Sequence, residues 1–205
     1  MQSDRLLTFA LGSRWTWLCV TVLLLSALLQ LNPALWCYDR LLLVHQPWRL
    51  WTGHLVHVGW VHWALNSVAL VLVAVVFPVP ALRHGLLLWL GLGLGISLGL
   101  YLGLPDLQQY AGLSGVLHGL VAWGACTWLQ QPAERRWGLL VLAGLGLKLM
   151  DEAAGGSVDT ARWIGAPVVV QAHQLGVVLA LLAAGLFWGI STARSLWVHD
   201  RGGRP

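Results

Sequence analysis

The chain has 205 residues, of which 58% are hydrophobic and 10% charged, against about 25% charged in an ordinary soluble domain. Such a composition excludes a water-soluble globule and points to the lipid bilayer. The net charge of +4 and pI of about 9.4 do not read as a nucleic-acid signal, because the basic residues fall between apolar runs, where membrane topology accounts for them.

Six apolar spans are predicted in chain order, at about 15–31, 60–77, 85–104, 113–129, 137–151 and 168–190. Each reads as a helix, since a helix satisfies its own backbone amides inside lipid, and the uniformly apolar runs lack the alternation of a membrane barrel. The first run follows Arg5 and Arg14; no small-x-small cleavage site follows it, so it reads as a retained helix rather than a signal peptide. With the N-terminus inside, Arg5, Arg14, Arg83, Arg135, Arg136, Arg194, Arg201 and Arg204 are cytoplasmic, while Arg40, Arg49, Lys148 and Arg162 lie at or beyond the outer side. The excess of inner charge predicts an N-in/C-in topology. The expected organisation is a cytoplasmic N-terminus over 1–14, a six-helix domain over 15–190 and a cytoplasmic tail over 191–205, disordered beyond Trp197. The longest loops are expected over 32–59 and 152–167, the second made flexible by Gly155-Gly156-Ser157.

Small residues recur every four positions: Gly91, Gly95, Gly99 and Gly103 in the third span, Gly115 and Gly119 in the fourth, Ala172, Gly176, Ala180 and Ala184 in the sixth. That spacing stacks them on one helix face and lets two backbones approach, so the fourth and sixth spans are expected to pack closely. Cys19, Cys37 and Cys126 form no CxxC or Cys/His zinc pattern and read as small apolar fillers.

Polar side chains inside spans are costly and mark function. Here they are His62, Asn66, Ser114, His118, Lys148 and His173, with His57 just before the second span. Most fall at the outer ends of the second, fourth and sixth spans, bringing polar groups from three helices to one depth. The eight acidic residues (Asp4, Asp39, Asp106, Glu134, Asp151, Glu152, Asp159 and Asp200) all read as loop or helix-edge residues. An aspartyl dyad therefore lacks its two buried carboxylates, a zinc protease lacks His-Glu-x-x-His, and a proton-coupled carrier lacks an intramembrane acid. A hydroxyl, imidazoles and an amide remain, the parts of serine acyl transfer without a third acid. That chemistry requires no cofactor and no metal.

Ser114 lies in Gly112-Leu113-Ser114-Gly115, where glycines permit close approach of a substrate and the helix start offers free amides to an oxyanion. Its plain alternative is an N-capping serine. His173, early in the sixth span, is the candidate base, or else a helix–helix hydrogen bonder. His62 and Asn66, one turn apart, are candidate oxyanion donors or members of a structural network. His57 is expected to organise its loop. His118 is the rival base, but it lies a turn deeper than Ser114 and is expected to pack beside the His173 ring. Lys148 is expected to snorkel.

The run Trp48-Arg49 with Thr52, His57-x4-His62-x3-Asn66, Gly112-x-Ser114-Gly115 and Ala172-His173-x2-Gly176 resembles the signature of rhomboid intramembrane proteases. The resemblance covers about 48–184 and implies a rhomboid-like bundle of six transmembrane helices, a Ser114–His173 dyad, and an oxyanion hole from the Ser114 amide, His62 and Asn66. It assigns Trp48 and Arg49 a structural place in a first loop lying partly in the membrane. Ala180 stands where many rhomboids have glycine, and His118 where many have tyrosine. Gly112-Leu113-Ser114-Gly115-Val116-Leu117-His118-Gly119 and Ile164-Gly165-Ala166-Pro167 are more similar to the rhombosortase subfamily. That implies a bacterial inner-membrane enzyme, with its site toward the periplasm, cleaving C-terminal sorting tails made of a Gly-Gly motif, an apolar helix and a basic end. The rival readings are a general rhomboid protease, a non-catalytic client-binding relative, and a small transporter, the last disfavoured by the missing carboxylates.

Overall fold

The computed structural model describes the backbone of residues 14–77 and 82–202 and the side chains of 17–77 and 83–189; the expected segment 1–14, apart from Arg14, lies outside them. Among the described residues six long helices appear where six spans are predicted: α1 (Arg14–Leu29), α3 (Trp60–Val76), α4 (Leu82–Gly103), α5 (Ser114–Leu129), α6 (Arg135–Ala153) and α8 (Val170–Gly202). Two short helices join them, α2 (Arg49–Thr52) and α7 (Val158–Ile164). Phe77 ends α3 in an extended conformation, as a residue before proline must. Gly165 closes α7 in the left-handed region, its amide donating to Ala161 O.

Several expectations need correction. The sixth helix does not stop near 190 but continues to Gly202, so the stretch from Trp197 to Gly202 is helical rather than disordered. The 152–167 segment is not an open loop: Glu152 and Ala153 complete α6, and α7 fills half of the rest. The 32–59 loop holds a 3-10 turn at Pro33–Leu35, α2, and β1 (Tyr38–Asp39), which pairs antiparallel with β2 (Gln109–Tyr110) in the register Tyr38↔Tyr110. Among the described residues, two stretches are long and apolar enough to cross a bilayer by themselves, Arg83–Gly103 and Val170–Gly189, with shorter apolar helices at Trp17–Leu29 and Trp60–Val76.

α5 sits at the centre, packed on α3, α4, α6 and α8, its closest partner being α8. The reason is the small-residue stripe. A Cβ on Gly115 would lie 2.8 Å from Ala172 O, one on Gly119 would lie 2.8 Å from Gly176 O, and one on Gly176 would strike Gly115 O. The two backbones therefore touch in parallel register, with Ala172 and Ala180 fully buried between them. The stripe on α4 is only half used: Gly95 and Gly99 receive the tips of Leu179 and Leu175 from α8, whereas Gly91 and Gly103 face open space. Outward faces carry large apolar side chains such as Leu24, Leu72, Leu87, Leu140, Leu147 and Leu182, while His54, His57, Asn66, Ser97, Glu152 and His173 are buried. Apolar surface outside and polar groups inside is the arrangement of a protein solvated by lipid.

The loop between α1 and α3 is tied down by polar contacts. Arg49, 3% exposed, donates from Nη1 to Ala34 O (3.0 Å) and Cys37 O (2.7 Å) and from Nε to Gln46 Oε1 (2.6 Å). Thr52 donates to Trp36 O at 2.6 Å. Of the two residues to which the resemblance gives a structural place, Arg49 is buried in these contacts and Trp48 is exposed. Contacts that the sequence reading overlooked complete the anchorage: Ser26 donates to Leu55 O, and Gln30 exchanges two bonds with the His57 backbone (2.7 and 2.8 Å).

Candidate active site

Ser114 is the first residue of α5, and His173 lies in the first turn of α8. Because these helices run parallel with their backbones in contact at Gly115 and Ala172, the two side chains start from neighbouring points at the same end of the bundle. The Ser114 hydroxyl is 2.8 Å from His173 Nε2, the separation of a nucleophile and its base. His118 stacks on His173, ring centroids 4.1 Å apart and planes 9° apart, the packing expected of it. Its own Nδ1 lies 2.7 Å from Ser114 O, so His118 donates to the serine's carbonyl, while the hydroxyl is directed to His173.

The other wall of the site comes from the segment before α5. Gly112 has φ +145°, a conformation that side chains rarely adopt. Its amide donates to Gly53 O at 3.0 Å, and its carbonyl accepts from Tyr110 Oη at 2.7 Å. Tyr110 packs edge-on against His54, whose Nε2–H is shared between Gly93 O (2.9 Å) and Ser97 Oγ (3.0 Å). Ser97 donates onward to Leu50 O at 2.7 Å. These residues, not anticipated from the sequence, hold Gly112 in place from α4 and the first loop. A Cβ added to Gly112 would lie 3.2 Å from His62 Nε2 and 3.9 Å from Ser114 Oγ. The space between His62 and Ser114 is therefore a small cleft kept open by a glycine. Asn66, one turn along α3, is buried, and its Nδ2 has no partner, nor has His62 Nδ1. His57 packs edge-on against His62 at 5.0 Å. Burial pushes the His54 ring down to about 4 and the His57 ring to about 3, so both stay neutral at pH 7.

A family model described as a Rhomboid domain matches residues 44–190, well over half of the chain. The chain belongs to the rhomboid family. Rhomboids are intramembrane serine proteases, which agrees with a helical protein whose apolar faces point outward. Comparison with curated proteins found no match, and comparison with solved structures found none.

The sequence reading missed the burial of one residue at this rhomboid's site. Glu152, taken as a helix-edge acid, is 8% exposed, and its Oε2 lies 2.8 Å from His173 Nδ1. Its other oxygen pairs with Lys148 one turn earlier on α6, so Lys148 does not simply snorkel. The expectation of a serine and histidine with no third acid nearby is corrected accordingly. The available signal was the i,i+4 Lys148/Glu152 pair, but the predicted span stopped at 151, one residue short of it. Among the described residues Glu152 is the one buried carboxylate, so an aspartyl dyad still finds no second acid there.

His118, Glu152 and His173 also place one ligand atom each within 4.8 Å of one another. The two imidazole rings are nearly parallel and stacked, however, and ring lone pairs lie in the ring plane. An ion would sit out of the plane of at least one ring, a poor fit to the tetrahedral sites that histidine builds.

Proposed function

We propose that this rhomboid is an active intramembrane serine endopeptidase in which Ser114 is the nucleophile and His173 its general base. The observation that carries the reading is the 2.8 Å contact between Ser114 Oγ and His173 Nε2, beside a cleft rimmed by His62. As Oγ bonds to the scissile carbonyl carbon, its proton passes to His173 Nε2. The oxyanion is received by the Ser114 amide at the start of α5 together with Asn66 and His62, whose Nδ2 and Nδ1 atoms are buried without a hydrogen-bond partner. His173 then protonates the leaving amine, and water, or an acceptor amine, releases the acyl group.

The bundle spans the membrane six times, N-in/C-in, with the site toward the periplasm of a bacterial inner membrane. Helix lengths support a recessed site. At 16 residues, α5 is about 24 Å long, short of the roughly 30 Å hydrocarbon core, so a helix starting at Ser114 leaves room above it for water. The segment from Ala154 to Gly165, including α7, which packs on α3, is a candidate lid. The substrates are C-terminal tails in which a Gly-Gly motif precedes an apolar helix and a basic end, since glycines lower the cost of unwinding at the point of attack.

The test is cleavage of a reporter ending in Gly-Gly, an apolar helix and Lys/Arg, co-reconstituted in proteoliposomes. Cleavage near the Gly-Gly, lost in Ser114→Ala and His173→Ala, is expected. Cleavage of other membrane-anchored reporters but not this one removes the tail specificity. Cleavage of none, with the reporter retained by the protein, marks a client-binding relative instead.

A further inference from the structure

We infer that Glu152 is a positioning residue for His173, so that the site works as a Ser114–His173–Glu152 relay held by Lys148 rather than as a two-residue machine. The inference rests on the protease reading above and adds a residue to it. Three observations carry it. Glu152 Oε2 stands 2.8 Å from His173 Nδ1, on the side of the ring opposite the nitrogen that meets Ser114. Both groups are buried, where a carboxylate is strongly felt and costly to leave unpaired. Lys148, half-exposed, occupies Oε1, so the carboxylate has one oxygen fixed by a cation and the other left for the imidazole.

The chemistry follows from hydrogen-bond polarity. A carboxylate can only accept, so the imidazole proton must sit on Nδ1, leaving the Nε2 lone pair free for the Ser114 proton. When Oγ bonds to carbon, that proton moves to Nε2, and the imidazolium lies against a negative oxygen. When the C–N bond breaks, the same proton goes to the departing amine. Glu152 stays deprotonated throughout.

Lys148 makes the idea sharply testable. In Glu152→Gln the side-chain shape is kept, but the ammonium group is donor-only and takes the amide oxygen. The amide NH2 then faces His173 Nδ1, and the imidazole proton is driven to Nε2, where it blocks transfer from Ser114. A residue that merely braces the fold would tolerate the isosteric amide better than truncation to alanine. A tautomer-setting residue reverses that order.

The experiment measures the rate of fluorophosphonate labelling of the full chain in nanodiscs, with melting temperature as a check on folding. Glu152→Gln is expected to label on the order of 10³-fold or more slowly, and more slowly than Glu152→Ala. Lys148→Met combined with Glu152→Gln is expected to recover at least about tenfold, since the amide can then turn its oxygen to the ring. 15N spectra of labelled histidine should show the His173 proton on Nδ1 in the native chain and on Nε2 in Glu152→Gln. Labelling of Glu152→Gln within about threefold of native, or a double variant no faster than Glu152→Gln, overturns the inference. Should Glu152→Gln fail to fold, Glu152→Ala decides: native-rate labelling overturns the inference, and at least about a tenfold loss sustains it. If the native chain and Glu152→Gln label equally while Ser114→Ala does not label, the protease reading stands and the relay falls. If the native chain itself does not label, both fall.

Discussion

The most exacting consequence of the fold concerns Gly115, which lies next to Ser114 in the chain and against the backbone of the neighbouring helix. A Cβ at this position would lie 2.8 Å from Ala172 O, 3.2 Å from Ala172 C and 3.3 Å from Ala172 Cβ. Ordinary contact begins near 3.4 Å, so α5 and α8 must part by about 0.6 Å. Neither opposing atom is a flexible side-chain tip, and overpacking of this kind costs about 1–3 kcal/mol. Ser114 and His173 are the immediate chain neighbours of the two residues that collide. The displacement is therefore transmitted to their 2.8 Å contact, opening it beyond 3.2 Å, past the usual reach of a general base. A misplacement of about 1 Å costs on the order of 10²-fold, so Gly115→Ala should react roughly tenfold more slowly with a fluorophosphonate and melt at a lower temperature. Gly91→Ala is the matched control, because nothing lies within 4 Å of its added Cβ; it should keep the native rate and gain up to about 1 kcal/mol of helix stability. If Gly115→Ala labels and melts like the native chain, backbone contact does not set the distance between Ser114 and His173.

Three further outcomes follow from the same geometry. Gly112→Ala places a methyl group 2.8 Å from His62 Cε1 at φ +145°, so turnover should fall by about 10²-fold or more while an exposed control such as Leu41→Ala is unaffected. Asn66→Ala, removing a buried donor with an unused Nδ2, should lower kcat about 10²–10³-fold with little change in KM, measured on the cleavable reporter. Arg49→Ala deletes four hydrogen bonds from a buried cation, to Gln46 Oε1, Ala34 O, Cys37 O and Cys37 Sγ, and should cost on the order of 3 kcal/mol or more in unfolding, while the fraction that remains folded labels at the native rate.

What could be read before the structure, and what could not, has a physical pattern. That Ser114 and His173 meet was legible because lipid makes a polar side chain expensive, so the few that remain stand out against leucine and glycine. The contact of α5 with α8 was legible because Gly115, Gly119, Ala172 and Gly176 repeat at the period of one helix face. Gly91 and Gly103 carry the same period yet touch nothing, since spacing records which residues share a face and not whether a partner covers it. Glu152 was missed because a place at a helix edge, which it does occupy near the end of α6, does not reveal whether the packing of neighbouring helices buries it. The pairing of Tyr38 with Tyr110 and the support of Gly112 by His54, Ser97 and Tyr110 join residues far apart in the chain, and two-residue strands show no alternation. The extension of α8 to Gly202 is invisible to hydropathy, which ends where apolar residues give way to polar ones.

The proposed protease chemistry requires Ser114 to be the reactive hydroxyl and His173 to be what activates it. Mass-spectrometric mapping of the fluorophosphonate adduct on the membrane-reconstituted chain addresses both at once. The adduct should lie on Ser114 in the native protein, be absent from His173→Ala, and persist in His118→Ala. An adduct on another residue, or a Ser114 adduct that forms at the native rate without His173 and vanishes without His118, contradicts it.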